Sequence, residues 1–240
     1  MDRKYSSSKH RVIPQVPRSL PGEMWGIVSL FNPAGYGNKL ENFRIFSENV
    51  RRQGLPLLVV ECAFGDAEFE VPEQLCDRLV RRRTSTVMWQ KERLLNIGLE
   101  HLPDECDKVA WVDADVIFEN DDWVQETARL LEAYCVVQPY AKAHWLKRGK
   151  RRPSFRWRAS AGPKDGGWMP GMGFKMTRTP DWDKALEKYH LHGHLGFAWA
   201  IRREIIERHG FYDAQILGNG DFVMAHAMYG NEDFWRGDHW

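Results

Sequence analysis

Apolar and polar residues follow one another along the chain in blocks that predict buried strands alternating with helices. Three short runs are almost wholly apolar, as expected of strands buried on both faces: residues 25–31, 57–62 and 108–113. Three longer stretches carry apolar residues at helical spacing: residues 39–52, 89–102 and 121–133. This order of blocks predicts an α/β fold with a mostly parallel central sheet and helices on both faces.

The rest of the chain adds shorter elements and two irregular segments. A strand is predicted at residues 135–138, an apolar strand that runs into a basic helix start within residues 192–203, and a helix at 222–229. The pattern loosens between about residues 141 and 196. Residues 1–22 are polar and basic and predict a flexible arm, which leaves residues 23–240 as a single predicted domain.

Two aspartates, Asp113 and Asp115, stand one residue apart at the end of an apolar run. In a strand, side chains at positions i and i+2 point to the same face, so both carboxylates can turn towards one ligand. Paired oxygen donors suit a hard divalent cation that keeps several waters and bridges to phosphates. The alternative is a simple turn, because Asp is common where strands end.

The ends of the predicted strands favour the metal site over the turn. In open α/β sheets, ligands bind beyond the carboxyl ends of the strands. Phe31, Glu61 and Asp113 all lie at such ends. The layout of the fold therefore predicts a ligand site that includes the two aspartates.

Composition limits the setting and the classes of partner. The formal net charge of +1 argues against a general nucleic-acid-binding protein. The four cysteines have no C-x-x-C spacing, and no leader sequence or long apolar span is present, which predicts a reducing, cytoplasmic location and no membrane span.

A second group of polar residues precedes the last predicted helix. In Gly218-Asn219-Gly220-Asp221, two glycines allow a tight turn with close approach of the backbone to a ligand. Asp221 fits either a general base or a helix cap, and the two roles are compatible. His192 and His194 fit a metal pair, although satisfied core histidines are the more common case.

The irregular segment is strongly basic. Residues 147–158 contain seven Lys and Arg residues and no Asp or Glu. Such a segment is either a solvated loop or a loop that clamps an anionic group on an acceptor.

Several of these blocks together resemble GT-A fold glycosyltransferases, in particular galactosyltransferase-related bacterial and viral proteins with a D-x-D motif. The blocks occur in the family's order at residues 29–35, 89–96, 112–115, 196–203 and 218–221. The resemblance implies a GT-A-like, Rossmann-like sheet and transfer of a sugar from a nucleotide-sugar donor, a UDP-sugar, to an acceptor hydroxyl. The acceptor, the donor sugar and the oligomeric state stay open.

The resemblance also implies roles for residues on the donor side. Phe31 and Glu61 would lie near the base and ribose, and Lys91 and Arg93 near the nucleotide or its phosphates. The implied metal is Mn²⁺ or Mg²⁺. Asp113 would face the ribose and the metal's water shell, and Asp115 would bind the metal directly.

On the acceptor side, the resemblance makes Asp221 the base that takes the proton of the attacking hydroxyl. A single displacement with one base inverts the anomeric configuration. Trp168 and Trp199 would form a wall for stacking sugars. Relatives continue into a segment with a histidine that helps to hold the metal. Here either His239 replaces that ligand, or substrate and water complete the metal's shell, or the chain is a shortened form.

Two other functions remain as alternatives. A nucleotidyltransferase would also use paired aspartates, but it would typically have a basic, glycine-rich loop after the first strand. Residues 32–37 contain no Lys or Arg. A non-catalytic module that binds a polyanion or an anionic glycan through residues 147–158 is the other alternative, and its binding would be steeply salt-dependent.

Overall fold

A computed structural model describes residues 17–154, 158–159, 166–179, 185–186 and 192–230. The strands are β1 (Glu23–Phe31), β2 (Leu57–Phe64), β3 (Arg78–Thr84), β4 (Cys106–Val112), β5 (Val136–Val137), β6 (Lys142–His144), β7 (Arg158–Ala159), β8 (Gly167–Pro170) and β9 (Ala198–Arg202). The helices are α1 (Lys39–Arg52), α2 (Lys91–Leu99), α3 (Trp123–Ala133), α4 (Met172–Met176), α5 (Arg203–His209) and α6 (Gly220–Met228).

The described residues group into two compact units. The large unit contains Gln15–Pro139 and Gly196–Met224, and the described residues of the small unit come from Tyr140–Leu195 and Ala225–Trp240. The sequence predicted one domain over residues 23–240. No helix within the described ranges is long and apolar enough to cross a bilayer.

The large unit is built on a six-stranded sheet with the order β3-β2-β1-β4-β9-β5. β1 pairs in parallel with β2 and with β4, and β2 pairs in parallel with β3. β9 runs antiparallel to both β4 and β5. The predicted α/β class and mostly parallel sheet are therefore confirmed.

The apolar runs form the centre of this sheet because their side chains are covered on both faces. Ile27 and Val28 of β1, Val59 of β2 and Val109 of β4 are completely buried. The predicted helix at residues 39–52 has the same bounds in the structure. The predicted helix at 89–102 is shorter, since α2 begins at Lys91 and ends at Leu99.

Helix α2 lies unusually close to the sheet, and Gly98 makes this possible. A Cβ atom at Gly98 would lie 2.5 Å from Cγ2 of Ile27 in β1 and 3.3 Å from Cδ2 of Leu58 in β2. The close approach fixes the axis of α2 and therefore the position of its first residue, Lys91.

Gly98→Ala should lower the free energy of unfolding by about 1–2 kcal/mol, although Ala is the better helix former, because the added methyl group has no room. Thermal or urea unfolding measures the change. Gly37→Ala is the matched control, since a Cβ atom at Gly37 would meet nothing within 4 Å. Equal stability of the two variants would mean that α2 packs less closely on β1 than described.

The edge strand β3 was missed by the sequence pattern because only one of its side chains, Val80, is buried. Its arginines are bound locally: Arg83 donates to the carbonyl oxygens of Gly65 and Ala67, and Arg81 and Arg83 lie 5.4 and 4.9 Å from the ring centre of Phe69. A charged edge strand also resists pairing with another chain.

The described end of the predicted N-terminal arm is attached to the large unit. The Nζ atom of Lys108 donates to the carbonyl oxygens of Leu20 and Gly22 at 2.8 and 2.6 Å, and Arg18 pairs with Glu204. Residues 1–16 of the predicted arm lie outside the described residues.

The small unit contains a three-stranded sheet with the order β6-β8-β7. The sequence predicted only loosened loops here, because strands of two to four residues are too short to show a hydrophobic period. Met169, Met172 and Met176 form its core, together with His192 and His226, which are 0% and 2% exposed.

The two buried histidines predict a pH-dependent stability. Burial, and then repulsion from His192, lower the pKa of His226 to about 4 from an ordinary value of 6.5. The unfolded chain therefore binds a proton that the folded chain excludes, so stability is full above about pH 6.5 and falls by about 2–3 kcal/mol as the pH approaches 4.

His226→Asn should remove this component, so the difference in melting temperature between wild type and variant should narrow as the pH falls from 7.5 to about 4.5. Comparing the two melting temperatures at each pH cancels the effect of the carboxylates that titrate in both proteins. A difference that stays constant across this range would contradict the assignment.

Candidate active site

The order of the strands reverses between β1 and β4, which predicts a crevice at their carboxyl ends. The chain proceeds from β1 outwards to β3 and then returns to β4 on the other side of β1. At such a reversal the loops leave in opposite directions and open a crevice, where ligands bind in open α/β sheets. Phe31 ends β1, and Asp113 directly follows β4. The structure brings Phe31 and Asp113 to the same end of the sheet, and the ligand site there stays a prediction.

The backbone of Asp113 is hydrogen-bonded to Phe197, whose own backbone conformation is strained. Its N–H donates to the carbonyl oxygen of Phe197 at 2.7 Å. Phe197 has a φ of 76°, in the left-handed region that bulky side chains avoid. Because β9 runs antiparallel to β4, Phe197 enters the sheet at the edge that Asp113 leaves, which fixes the origin of the Asp113 side chain.

Lys91 joins two carboxylates that are far apart in the sequence. Its Nζ atom lies 2.7 Å from Oδ1 of Asp113 and 3.2 Å from Oδ2 of Asp221. Burial opposes a charge on Lys91, but attraction to Asp113 and then Asp221 outweighs it and raises the pKa of Lys91 above its ordinary value. The ammonium group therefore stays charged in the crevice.

Asp221 lies in the first turn of α6 and not at its cap, because the helix begins one residue earlier at Gly220. Burial raises the pKa of Asp221, and Lys91 offsets part of the shift. The carboxylate remains 29% exposed, which leaves room for a small molecule to reach it. A carboxylate with a raised pKa is a better proton acceptor than an ordinary one.

A buried carboxyl group, Glu92, connects the starts of α2 and α6. Glu92 is 4% exposed. Burial raises its pKa, with a further contribution from Asp221 and an opposing one from the Trp89 side chain. A Cβ atom on Gly220 would lie 2.1 Å from Oε1 of Glu92, so any larger residue there would displace the Glu92 side chain. This contact holds the two helix starts, and with them Lys91 and Asp221, together.

Asp115 is exposed, two residues beyond Asp113. Partial desolvation of its carboxyl group and then repulsion from Asp113 raise the pKa of Asp115, and the charge of Lys39 partly opposes this. Two carboxylates that repel each other beside an open crevice are a fitting pair for Mn²⁺ or Mg²⁺. Among the described residues, no group of three or more metal-ligating side chains occurs. Mg²⁺ commonly uses one or two carboxylates with substrate phosphates, which this pair can satisfy.

An aromatic pair lies at the end of β1. The rings of Phe31 and Trp89 meet edge to face, with centres 5.4 Å apart. The Nζ atom of Lys39 lies 5.3 Å from the centre of the Phe31 ring and donates to the Phe31 carbonyl oxygen at 3.2 Å. The backbone N–H of Trp89 donates to the carbonyl oxygen of Ile216 at 3.0 Å, which ties the Trp89 segment to the loop before α6.

Two residues predicted to contact the nucleotide-sugar donor, Glu61 and Arg93, make contacts within the protein. Glu61 is 4% exposed and accepts hydrogen bonds from the backbone N–H groups of Glu70 and Val71. Arg93 has a 65% exposed side chain, which lies 3.4 Å from Asp213. Both are occupied in fold contacts, so their predicted contact with a nucleotide stays a prediction.

The two tryptophans of the predicted sugar wall belong to different units, and their contact with a sugar stays a prediction. Trp199 belongs to the large unit, is 4% exposed and stacks on Trp111 with ring centres 6.5 Å apart. This burial leaves almost none of its indole face for a sugar. Trp168 is half-buried in β8 of the small unit, with the Lys142 ammonium 4.7 Å from its ring centre. His239 lies outside the described residues.

Three residues of the crevice were not assigned from the sequence: Lys39, Trp89 and Glu92. Trp89 and Glu92 flank Lys91 within a block quoted for the resemblance, which was the available signal. A cavity of about 460 Å³ also exists in the large unit, but Gly22, Met24 and Lys108 line it near the start of β1 and β4. It opens away from the carboxyl ends, where Asp113 lies.

Lys91→Met should lower the free energy of unfolding by about 2 kcal/mol at pH 8 in EDTA, because two partly buried carboxylates lose their counter-charge. Urea unfolding measures this. Arg93→Met on the same helix is the control, and its exposed ion pair should contribute less than about 0.5 kcal/mol. Equal effects of the two variants would mean that Lys91 is an ordinary surface cation.

Comparison with known proteins gives distant structural likenesses. No protein-family model matches the chain, and no curated protein matches its sequence. The solved structures similar to it include Staphylococcus aureus TarS 1-349 in complex with UDP-GlcNAc, with 14% identity, a TM-score of 0.46 and coverage of 87% of this chain and 54% of that chain. The chain therefore spans about half the length of that protein.

Two further structures are similar at the same level. The catalytic domain of Drosophila beta1,4galactosyltransferase 7 in complex with xylobiose has 14% identity and a TM-score of 0.41, covering 86% of this chain and 62% of that chain. The 4-diphosphocytidyl-2C-methyl-D-erythritol synthase of Anaerococcus prevotii has 13% identity and a TM-score of 0.43, covering 92% of this chain and 85% of that chain. Because all three likenesses are distant, we infer function from the residues of the crevice.

Proposed function

We propose that the chain is a metal-dependent glycosyltransferase that moves a sugar from a UDP-sugar to an acceptor hydroxyl with inversion. The observation that carries this proposal is the convergence of Asp113 and Asp221 on the Lys91 ammonium group, at 2.7 and 3.2 Å. Asp113 belongs to the candidate metal pair, and Asp221 lies at a partly exposed helix start. Sugar transfer from a nucleotide needs both a group that faces a diphosphate and a base.

The donor half of the crevice has suitable chemistry for each part of a UDP-sugar. The exposed Trp89 ring, held against Phe31, offers an aromatic face to a base. The Lys91 ammonium offers a positive charge to the diphosphate. Asp113 and Asp115 would hold Mn²⁺ or Mg²⁺, which when bound offsets charge on a departing diphosphate.

The reaction then needs one base and no covalent intermediate on the protein. The acceptor oxygen forms a bond to the anomeric carbon as the bond from that carbon to the diphosphate oxygen breaks. The acceptor proton passes to a carboxylate oxygen of Asp221, and UDP leaves. Attack opposite to the leaving group inverts the anomeric carbon. Burial raises the pKa of Asp221, which makes it a stronger base for this step.

Calorimetric titration with UDP, first with Mn²⁺ and then with EDTA, is the test of the donor half. We expect binding with Mn²⁺ and a loss of at least about tenfold in affinity with EDTA. A screen of UDP-sugars with the bound protein then reports sugar transfer, and NMR of the first product reports its anomeric configuration. Absence of UDP binding would contradict the proposal, and transfer of a nucleotidyl group would indicate a nucleotidyltransferase instead.

A further inference from the structure

The small unit is basic overall, with 18 Lys and Arg against 8 Asp and Glu in its sequence. The eight acidic residues lie outside the described residues, which contain nine cations: Lys142, Lys147, Arg148, Lys150, Arg151, Arg152, Arg158, Lys175 and Arg178. The large unit has the opposite balance, with 16 Lys and Arg against 25 Asp and Glu. The net charge of +1 for the whole chain therefore hides two regions of opposite sign.

The cations are most concentrated in one segment, which we call the basic turn: residues 147–152. Five of its six residues are Lys or Arg, and all of them are exposed. The twelve ion pairs between described side chains all lie in the large unit. The charges of the basic turn thus have no internal acidic partner among the described residues.

The backbone that leads into the basic turn is fixed by hydrogen bonds to the start of β8. Trp145 and Gly167 extend the pairing of β6 with β8, since the Trp145 N–H donates to Gly167 at 3.0 Å and the Gly166 N–H donates to Trp145 at 2.8 Å. The Lys150 N–H closes the turn on the carbonyl oxygen of Lys147 at 2.9 Å. Gly166 leaves room for the Lys147 stem, because a Cβ atom there would lie 2.5 Å from its Cε.

Five like charges in six positions repel one another, and an external anion relieves that repulsion. Arginine forks bind phosphate and carboxylate groups through two parallel hydrogen bonds. Nucleic acid is disfavoured because the net charge of the whole chain is only +1, whereas a nucleic-acid-binding protein usually has a strong basic excess. A glycan with anionic groups spaced along its chain can pair with one short cluster of cations.

We propose that the basic turn binds an anionic glycan, the acceptor of the transfer reaction. The identification of this glycan as the acceptor rests on the proposed function. The shared chemistry is a sugar chain that carries phosphate or carboxylate groups, and it identifies the acceptor as anionic where the crevice alone does not.

The test is binding of fluorescent glycans to the full chain, without donor, at low and moderate salt. The probes are an oligogalacturonate for carboxylates, a phosphomannan oligosaccharide for phosphates, a neutral maltooligosaccharide and a single-stranded oligonucleotide with the same number of charges. At least one anionic glycan should bind more tightly than the maltooligosaccharide, and its affinity should fall as salt rises. Tighter binding of the oligogalacturonate would indicate a preference for carboxylates, and tighter binding of the phosphomannan oligosaccharide a preference for phosphates.

A matched pair of triple variants locates the site. Lys150→Ala, Arg151→Ala and Arg152→Ala together should weaken glycan binding about tenfold at low salt. Arg82→Ala, Arg129→Ala and Arg208→Ala together remove the same charge from exposed positions of the large unit and should leave binding within about twofold. Unchanged melting temperatures establish that both variants fold.

Equal losses in the two triple variants, or equal binding of the neutral glycan, would overturn the proposal. Tighter binding of the oligonucleotide would also overturn it and identify a nucleic-acid surface. These outcomes are separate from the proposed function, because UDP titration reports on the crevice and should be the same in both triple variants and in wild type.

Discussion

Asp221→Asn should reduce sugar transfer by at least about a hundredfold while UDP binding in Mn²⁺ stays within about twofold of wild type. The substitution keeps the size of the side chain but removes its negative charge and its ability to take a proton. The carboxylate is 3.2 Å from Lys91 and 29% exposed, so it is both fixed and reachable. Initial rates with a responsive UDP-sugar and acceptor measure the loss, and calorimetry measures donor binding.

Asp213→Asn is the matched control for Asp221→Asn. Asp213 lies on the same segment before α6, but its carboxylate contacts Arg93 and Asn96 and not Lys91. It should therefore transfer sugar at close to the wild-type rate. Normal transfer by Asp221→Asn would mean that the residue only joins α6 to Lys91, and the base would have to be sought elsewhere.

The strands that the sequence predicted are those whose side chains are buried on both faces of the sheet. β1, β2 and β4 are covered on both faces and so read as continuous apolar runs, which also predicts where their carboxyl ends lie. The position of Asp113 at the crevice follows from that layout alone. β3 has one buried side chain, and β7 has none, so neither leaves an apolar signal.

The pairing of Lys91 with Asp221 could not be predicted in the same way. The two residues are 130 positions apart, and the contact depends on close packing at two glycines. Gly98 allows α2 to approach the sheet, and Gly220 allows α6 to start over Glu92. A sequence shows that these residues are glycines, but not which atoms approach them.

Glu61 illustrates how a shift of two residues changes the surroundings of a predicted site residue. The sequence placed the end of β2 at residue 62, whereas the strand continues to Phe64. Glu61 therefore lies within the strand, where its carboxylate accepts N–H groups from residues 70 and 71. Ala63 and Phe64 are apolar, so the apolar run itself continues to residue 64, and the predicted end of the strand was two residues short.

Asp115→Asn should weaken Mn²⁺-dependent binding of UDP by at least about a hundredfold and leave the weak binding in EDTA unchanged. The reason is the loss of one carboxylate of the Asp113 and Asp115 pair, since no group of three or more metal-ligating side chains occurs among the described residues. Glu119→Gln removes the same charge four positions later at an exposed site, and should bind UDP like wild type. Calorimetry in both conditions measures the effect.

The same carboxylate sets the expected pH dependence of metal binding. Desolvation and then repulsion from Asp113 raise the pKa of Asp115, so protons compete with the cation more strongly than at an ordinary aspartate. Mn²⁺ affinity of the wild type should therefore fall as the pH is lowered through the mildly acidic range, and the Asp115→Asn variant should show a weaker dependence. If Asp115→Asn instead binds UDP and Mn²⁺ like wild type at every pH, Asp115 is not a metal ligand, and the pair of aspartates serves only to end β4.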